Sequence, residues 1–484
     1  MSAHSAFARM LAARGLSLVV TVAGFAALGR LLSPEDFGRF ALASAFFALA
    51  RVAAGFGLNN YLVRERVLRD ETAGEAMGLS LALSAAAAAV IVAAATLAPI
   101  HHATAAALLV LAPAVLAAAT GTVAEALLSR RLDFRLISRL EVMRAVLDMG
   151  VAVALAWWGL GAVALAAGVL ASRLGGTAAL VLLSGHARAL RPRLGGWRRF
   201  AGFGTRFSVL EVLPVGSGLA VNAIVTALLG AATLGLYNRA EAIRTLLDRT
   251  ALEGIKSVVL PVLSRSIDAG WSAADLHARK LDYLCAICWP AYAFIAAMAD
   301  PLVRVMMGPG WEALVAPVRI LACVGVAIPV VKMSFKLFVA TDHMDVILRI
   351  NVTQHVLRIT LAFCGALISL EALCAALVLS TLIRGVRIHA AARRHFGRGV
   401  PGPRGIAGRG AAVTAGALAG PLALLAWGGL SPFPTMALAV PSAAIGWLVA
   451  LALVRHALLG EFATALRPVR RRLFGAPALE QPRA

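Results

Sequence analysis

Long apolar runs recur along almost the whole of this 484-residue chain and constrain its fold more than any other feature. A helix that crosses the hydrocarbon core of a bilayer needs roughly 20 predominantly apolar residues. Because backbone polar groups in lipid must be satisfied within the spanning segment, such runs predict helices. The sequence therefore predicts an all-α polytopic membrane protein with about fourteen spans, at 11–31, 40–60, 77–99, 104–128, 141–159, 162–184, 204–229, 234–262, 281–299, 314–340, 345–366, 368–390, 407–428 and 434–456.

The placement of basic residues predicts the orientation of these spans. Arginines and lysines cluster before the first span and after the second, fourth, sixth, eighth, twelfth and last, whereas the opposite loops are short and almost uncharged. The positive-inside rule then places both termini in the cytoplasm. Because the net charge of +22 follows this alternation, a nucleic-acid partner is not expected. The apolar N-terminal run lacks a clear cleavage site, so we expect a retained first helix. Exceptions to the charge rule occur at Arg30, Arg39, Arg304 and Arg319.

Two similar ten-residue stretches indicate an internal duplication. LLSPEDFGRF at 31–40 is matched by LLGAATLGLY at 228–237, and each copy lies between apolar runs. Chance similarity is the alternative, since leucine, glycine and alanine are common in this chain. Six spans separate the copies, so the repeats should be parallel and related by an axis along the membrane normal, with the site between them. We therefore expect an N-terminal lobe at 1–195 and a C-terminal lobe at 196–396. A linker, two further spans and a cytoplasmic tail follow at 397–484.

The sequence shows no catalytic or metal-binding constellation. All five cysteines lie in apolar segments, and the Cys285–Cys288 pair lacks a second pair, so buried free thiols are expected, with neither disulfide nor metal. No GxxxxGK[ST] phosphate loop is present, which argues against direct ATP hydrolysis, and no cofactor is predicted. Glu35 and Asp36 leave one enzymatic alternative open, a metal-dependent membrane glycosyltransferase. They equally suit the first turn of a helix after Pro34.

Several motifs resemble those of a known family. LLSPEDFGRF with FFALARVAAGFGLNNYLVRE resembles the start of bacterial polysaccharide transporters, the oligosaccharide and O-antigen flippases related to multidrug and toxin extrusion transporters. RRLDFR at 130–135, GLYNRAEAI at 235–243 and LPVLSR at 260–265 extend the resemblance over most of residues 10–390.

The resemblance implies a transporter of the bacterial inner membrane rather than an enzyme. Two six-helix lobes would form a V and carry a lipid-diphosphate-linked oligosaccharide from the cytoplasmic to the periplasmic leaflet for polysaccharide export. Its partners would be that glycan, membrane lipids and a polysaccharide polymerase or export complex. The alternatives are a multidrug or cation exporter, which would need an anionic cavity, and a membrane glycosyltransferase or polymerase.

Cationic side chains within the spans are the candidate substrate-binding residues, because ionisable groups in a membrane usually face a cavity or a partner. Arg51, Lys332 and Arg358 lie deep in their predicted spans and together would form a diphosphate-binding centre. A structural pairing of Arg51 with Asp148 is the alternative. Lys336 lies one turn beyond Lys332 and could instead reach the cytoplasmic interface.

The eighth span is the most polar and adds Arg244 to the substrate-binding candidates. Arg244 lies four residues before Asp248, so the two side chains can form an ion pair on one helix face. Such pairs would neutralise much of the charge on this wall of the cavity. On the eleventh predicted span, 345–366, polar residues recur at helical spacing, which equally predicts helix–helix hydrogen bonds; they are Asn351, Gln354, His355 and Arg358.

Three acids are the candidates for coupling transport to an ion gradient, namely Glu211, Asp148 and Asp248. Glu211 has no partner nearby in sequence, and a lone buried carboxylate can carry a proton. A position near the cytoplasmic interface is the alternative for Glu211.

Overall fold

The computed structural model describes most of the chain. Its backbone covers 3–65, 68–130, 134–184, 191–193, 195–268, 273–340, 343–397 and 403–460. Side chains are described within these ranges except at 3–12, 14, 129, 134–135, 137, 184, 206–207, 209–210, 247–268, 273–276, 339–340, 344 and 403–407.

Within these ranges the chain is helical and contains no β-strand. The sixteen α-helices are α1 Ala3–Leu31, α2 Pro34–Gly55, α3 Leu58–Arg64, α4 Asp70–Leu97, α5 His102–Arg130, α6 Phe134–Trp157, α7 Ala162–Ser184, α8 Trp197–Asp268, α9 Ala273–Ala297, α10 Ala299–Met307, α11 Val315–Ala322, α12 Ile328–Ala340, α13 Met344–Ala366, α14 Leu370–Phe396, α15 Pro403–Trp427 and α16 Pro432–Leu453. Short 3-10 helices at Glu312–Leu314 and Cys323–Val326 flank α11.

The predicted all-α membrane fold is confirmed, since each predicted span falls largely on one helix or on consecutive helices. Eight of the described helical stretches are long and apolar enough to cross a membrane, and counting two bent pairs makes ten. The pairs are His277–Ala297 with Ala299–Met307, bent by 74°, and Glu312–Val326 with Ile328–Phe338, bent by 43°. The predicted spans on α1, α6 and α13 are shorter or more highly charged than these ten stretches.

Helix α8 consists of two arms that join at Gly230. Its φ of 86° and ψ of 169° are not helical and are readily adopted only by glycine. The break separates the seventh predicted span from the eighth, but it takes one residue rather than the short loop expected there. The parts of both arms next to the break form a single apolar stretch, Glu211–Leu246.

The chain divides into two compact units. Unit 1 contains 1–243, 303–321 and 348–380, and unit 2 contains 244–302, 322–347 and 381–484. These units interleave along the sequence because they follow spatial contacts. The predicted lobes at 1–195 and 196–396 follow the sequence repeat instead and stay a prediction.

In unit 1, α5 packs against α4 and α7, and α6 packs against α1 and α7. The first motif copy contributes Phe37 to the interior and the second contributes Leu234, both with none of their surface exposed. Trp311 stacks edge-on against Phe37, with ring centroids 5.5 Å apart, and donates a 2.9 Å hydrogen bond to the carbonyl oxygen of Gly29. The side chain of Trp311 therefore contacts both α1 and α2 next to the first motif.

In unit 2, α15 and α16 pack against each other and α15 packs against α9. Their shared core contains Ala286, Val413 and Leu451. Trp447 donates a 2.8 Å hydrogen bond from Nε1 to the carbonyl oxygen of Ala286. The last two predicted spans are thus held to α9 by apolar packing and a polar contact.

The two arginines that break the charge rule near the first predicted outer loop have local partners. Arg30 donates from Nη2 to the carbonyl oxygen of Val305 at 3.1 Å, near the end of α10, where a helix leaves carbonyls unpaired. Arg39 pairs with Glu35 at 2.5 Å. Ser33 and Asp36 form a capping box at the start of α2. Glu35 and Asp36 therefore serve the first turn of α2, as the helical alternative predicts.

Candidate functional site

Charged side chains from four helices meet within unit 1. Arg173 of α7 lies within electrostatic range of Arg51 of α2, Glu125 of α5, and Arg144 and Asp148 of α6. We call these five residues the charged cluster. Because α2, α5 and α7 each lie in an apolar stretch suited to cross a membrane, the cluster concentrates charge where charge is costly.

Glycines of α7 bring α6 close enough to build this cluster. A Cβ on Gly168 would collide with the Asp148 carbonyl oxygen, and a Cβ on Gly176 would collide with Nε of Arg144. The absence of side chains at these two positions lets Arg144 and Asp148 lie directly along α7. Arg144 also forms a 2.5 Å ion pair with Glu125, which joins α6 to α5.

The charged neighbour of Asp148 is not the one that the sequence-based alternative names. The charged group that acts on its half-buried carboxylate is Arg173, not Arg51. An isolated carboxylate in this setting would be expensive, whereas a neighbouring guanidinium offsets part of that cost. An arginine that was not among the sequence-based candidates therefore lies within electrostatic range of Asp148.

Arg51 and Glu211 are brought together. Arg51 is exposed along α2, and it is the charged neighbour of Glu211 on the first arm of α8. Glu211 is itself exposed rather than buried. With Glu211 included, the group contains three arginines and three carboxylates, so its charge is balanced rather than positive.

Arg358 lies elsewhere in unit 1, beside the aromatic residue of the second motif copy. Its guanidinium lies within electrostatic range of the buried phenol of Tyr237, as does the carboxylate of Glu241. The polar stripe of α13 also makes helix–helix contacts, as the alternative predicts. Gln354 donates to the carbonyl oxygen of Ser380 at 2.8 Å, and Nδ1 of His355 lies 2.8 Å from the hydroxyl of Ser217.

Arg239 is held by aromatic rings. Its guanidinium carbon lies 4.5 Å from the ring centroid of Phe25 and 4.2 Å from that of Phe37, within cation–π range. Its Nε is buried without a hydrogen-bond partner among the described atoms. Since no described acid pairs with it, this arginine of the polar eighth span is stabilised by ring faces rather than by an i,i+4 carboxylate.

The remaining substrate-binding candidates belong to unit 2. Arg244 donates from Nη1 to the hydroxyl of Tyr292 at 3.3 Å. Lys332 and Lys336 are half-buried on α12, and Lys336 lies within electrostatic range of Lys280 on α9. Asp248 is not among the residues whose side chains the structure describes. The predicted centre combines Arg51 and Arg358 of unit 1 with Lys332 of unit 2, and it stays a prediction.

Sequence reasoning missed Arg173 and Glu125. Both interrupt apolar stretches, at Ala162–Leu183 and His102–Leu128. The rule that selected Arg51, an ionisable residue within a span, would have selected both of them. What the sequence lacked was any sign that these residues share one cluster.

The described residues contain no group of three or more histidine, cysteine or acidic side chains able to hold a metal. Cys285, Cys288 and Cys374 are buried and free, as expected. Cys323 and Cys364 are also free but exposed, so the prediction of buried thiols is wrong for these two. A residue in an apolar run can face either the protein interior or lipid, because both surroundings favour apolar side chains. The sequence therefore does not show which cysteines are buried within the protein.

Comparisons with known proteins agree with this architecture. The sequence model of a family described as "Polysaccharide biosynthesis protein" matches residues 27–316. No protein with a curated description matches the chain significantly. The fold is similar to that of the lipid II flippase MurJ in an inward closed conformation, with a TM-score of 0.73, 10% identity, and coverage of 93% of this chain and 99% of that one.

A second similar fold is an inward-facing multidrug resistance MATE family transporter of the MOP superfamily. The TM-score is 0.52 with 15% identity, over 79% of this chain and 94% of that one. At such identities both likenesses show a shared fold.

Proposed function

This chain belongs to the polysaccharide biosynthesis protein family, and on that premise we propose that it is a flippase for a lipid-diphosphate-linked oligosaccharide. It would move its substrate from the cytoplasmic to the periplasmic leaflet of the inner membrane, with both termini in the cytoplasm. The observation that carries the proposal is the charged cluster, which places three arginines among apolar helices of unit 1.

Arginines in this setting suit a diphosphate. A guanidinium can bind phosphate oxygens through two parallel hydrogen bonds, and its charge is not lost on burial as readily as that of lysine. In the absence of substrate, Glu125, Asp148 and Glu211 offset the arginine charges. An arriving diphosphate would compete with these carboxylates, so binding would rearrange ion pairs rather than neutralise free cations.

Substrate movement would follow from the duplicated architecture. Transporters built from parallel repeats alternate access by rocking one repeat against the other around a central site. The diphosphate would be held by Arg51, Lys332 and Arg358, with Lys336 and Arg244 nearby. The sugars would occupy the hydrated cleft, and the prenyl chain would remain in lipid. The protein of similar fold is named a lipid II flippase, which supports a lipid-linked substrate for this chain as well.

The experiment measures glycan export and the amount of membrane-inserted protein in the same cells. We expect Arg51→Ala and Arg358→Ala to abolish export at normal protein levels, and Arg51→Lys to retain part of it, because charge matters more than volume. The matched control is Arg191→Ala, which removes an exposed arginine outside the spans and should export normally.

Two outcomes would contradict the proposal. Full export from an inserted Arg51→Ala, Lys332→Ala, Arg358→Ala triple variant would remove the proposed binding centre. Loss of the inserted protein itself, in each single variant, would favour purely structural ion pairs. An assay of drug efflux on the same strains separates the flippase from a multidrug exporter, which should lose efflux rather than glycan export.

A further inference from the structure

An open surface cavity of about 320 Å³ lies at the last turn of α14 in unit 2, and the described residues that line it are Ala390, Arg393, Arg394 and Gly397. These positions follow the i, i+3, i+4, i+7 pattern of one helix face. Both arginines are exposed on that face. The proposed transport function makes no use of this cavity.

The opposite face of the same turn is fixed in place. The rings of His395 and Phe396 lie 5.6 Å and 5.5 Å from that of Phe338, which is completely buried at the end of α12. His343, just before α13, lies 5.5 Å from His395. This packing holds the last turn of α14 rigidly, so the two arginines are presented to the cavity by a fixed scaffold rather than by a loose helix end.

The cavity is strongly cationic. Neither Arg393 nor Arg394 forms a salt bridge with any acid in the described part of the chain. Basic residues in a last helical turn do stabilise the helix dipole, which is the ordinary role of such arginines. That role needs no cavity beside the side chains, and two arginines on one helix face present hydrogen-bond donors that a phosphate group can accept.

The level of the cavity relative to the membrane indicates which anion fits. Helix α14 is one of the helices suited to cross the membrane, so its end lies where an apolar span meets water. Lipid phosphates occupy the same level, and basic pockets between spanning helices recognise anionic headgroups there. We propose that Arg393 and Arg394 bind the phosphate headgroup of an anionic phospholipid in this cavity. The inference does not depend on the substrate proposed above.

Native mass spectrometry of the full chain tests this site, with phosphatidylglycerol titrated into mixed micelles and phosphatidylcholine as the uncharged comparison. Each arginine near a lipid surface contributes about 1 kcal/mol, so Arg393→Gln with Arg394→Gln should weaken the tightest phosphatidylglycerol site by roughly 30-fold. The matched control, Arg191→Gln with Arg198→Gln, removes the same charge from exposed positions outside the cavity and should leave that site unchanged. Arg393→Lys with Arg394→Lys should retain most of the binding.

Equal weakening in both double variants would overturn the site in favour of a diffuse charge effect. Unchanged binding in the Arg393→Gln, Arg394→Gln variant would overturn it directly. Displacement of phosphatidylglycerol by excess inorganic diphosphate would also overturn it, since the cavity would then recognise free or substrate-borne phosphate. Hydrogen exchange over residues 380–397 is read in every variant. If Arg393→Gln with Arg394→Gln unfolds this turn, the arginines are structural and the proposal fails.

Discussion

Gly38 of α2 and Gly235 of α8 pack backbone to backbone, and they occupy the same position in the two copies of the repeated motif. A Cβ on Gly38 would collide with the carbonyl oxygen of Ala231, and a Cβ on Gly235 would collide with that of Pro34. The same sequence offset relates Gly38 to Gly235 and Pro34 to Ala231. Equivalent residues therefore exchange partners, as they do across a two-fold axis. This reciprocal contact supports an internal duplication over chance similarity of two stretches.

Alanine at either glycine should destabilise the protein. Gly38→Ala and Gly235→Ala each force a methyl group against a backbone carbonyl, and overpacking of this kind costs about 1–3 kcal/mol. Thermal unfolding of the purified protein in detergent measures the effect. Gly216→Ala, at a helical glycine with no neighbour within 4 Å, is the control and should be neutral or slightly stabilising. Equal stability of all three variants would mean that the motif glycines are not in close contact.

Asp148 and Arg173 should be energetically coupled. Removing one of two opposite, half-buried charges within electrostatic range leaves the other uncompensated, and we expect Asp148→Asn and Arg173→Gln each to cost about 1–3 kcal/mol. The double variant should lose less than the sum of the single variants, as a double-mutant cycle on thermal unfolding would reveal. The exposed Arg193–Glu71 pair, at 2.7 Å, provides a comparison cycle with a coupling of about 0–1 kcal/mol. Additive losses at Asp148 and Arg173 would contradict the pairing.

Glu211 and Asp148 are expected to couple transport to an ion gradient. Each carboxylate faces an arginine of the charged cluster, so its protonation would free that arginine for the substrate. Transport in vesicles should respond to an imposed proton or sodium gradient, and the response should disappear in Glu211→Gln or Asp148→Asn. Asp248, the third candidate, is tested in parallel by Asp248→Asn. Gradient dependence that is identical in the wild type and these variants would remove the acids from the coupling mechanism.

Both termini are expected in the cytoplasm, because basic loops alternate with nearly uncharged ones along the sequence. A reporter that is active only in the periplasm, fused after Arg472, should give no signal. The same reporter placed in the loop near Pro432 should give a strong signal and serves as the control. The opposite pattern of signals would reverse the orientation and, with it, the proposed direction of transport.

The sequence indicated where charge enters the membrane but not how it is partnered. Arg51, Asp148 and Glu211 were selected because ionisable residues in apolar runs are rare and costly. Their neighbours Arg173 and Glu125 lie far away along the chain, and no local spacing rule connects α2, α5, α6 and α7. Arg239 shows the same limit, because its stabilisation by Phe25 and Phe37 depends on rings from two other helices.

By itself, the sequence determined the helical class, the positions of the spans and the repeated motif, because apolar length and local pattern are properties of contiguous residues. Only the tertiary structure decided that Gly38 meets Gly235, that Arg173 rather than Arg51 is the charged neighbour of Asp148, and that Glu211 is exposed beside Arg51. These relationships depend on which helix faces come together. That choice is made by close packing between distant segments, such as the glycines of α7 that admit α6, and no single segment encodes it.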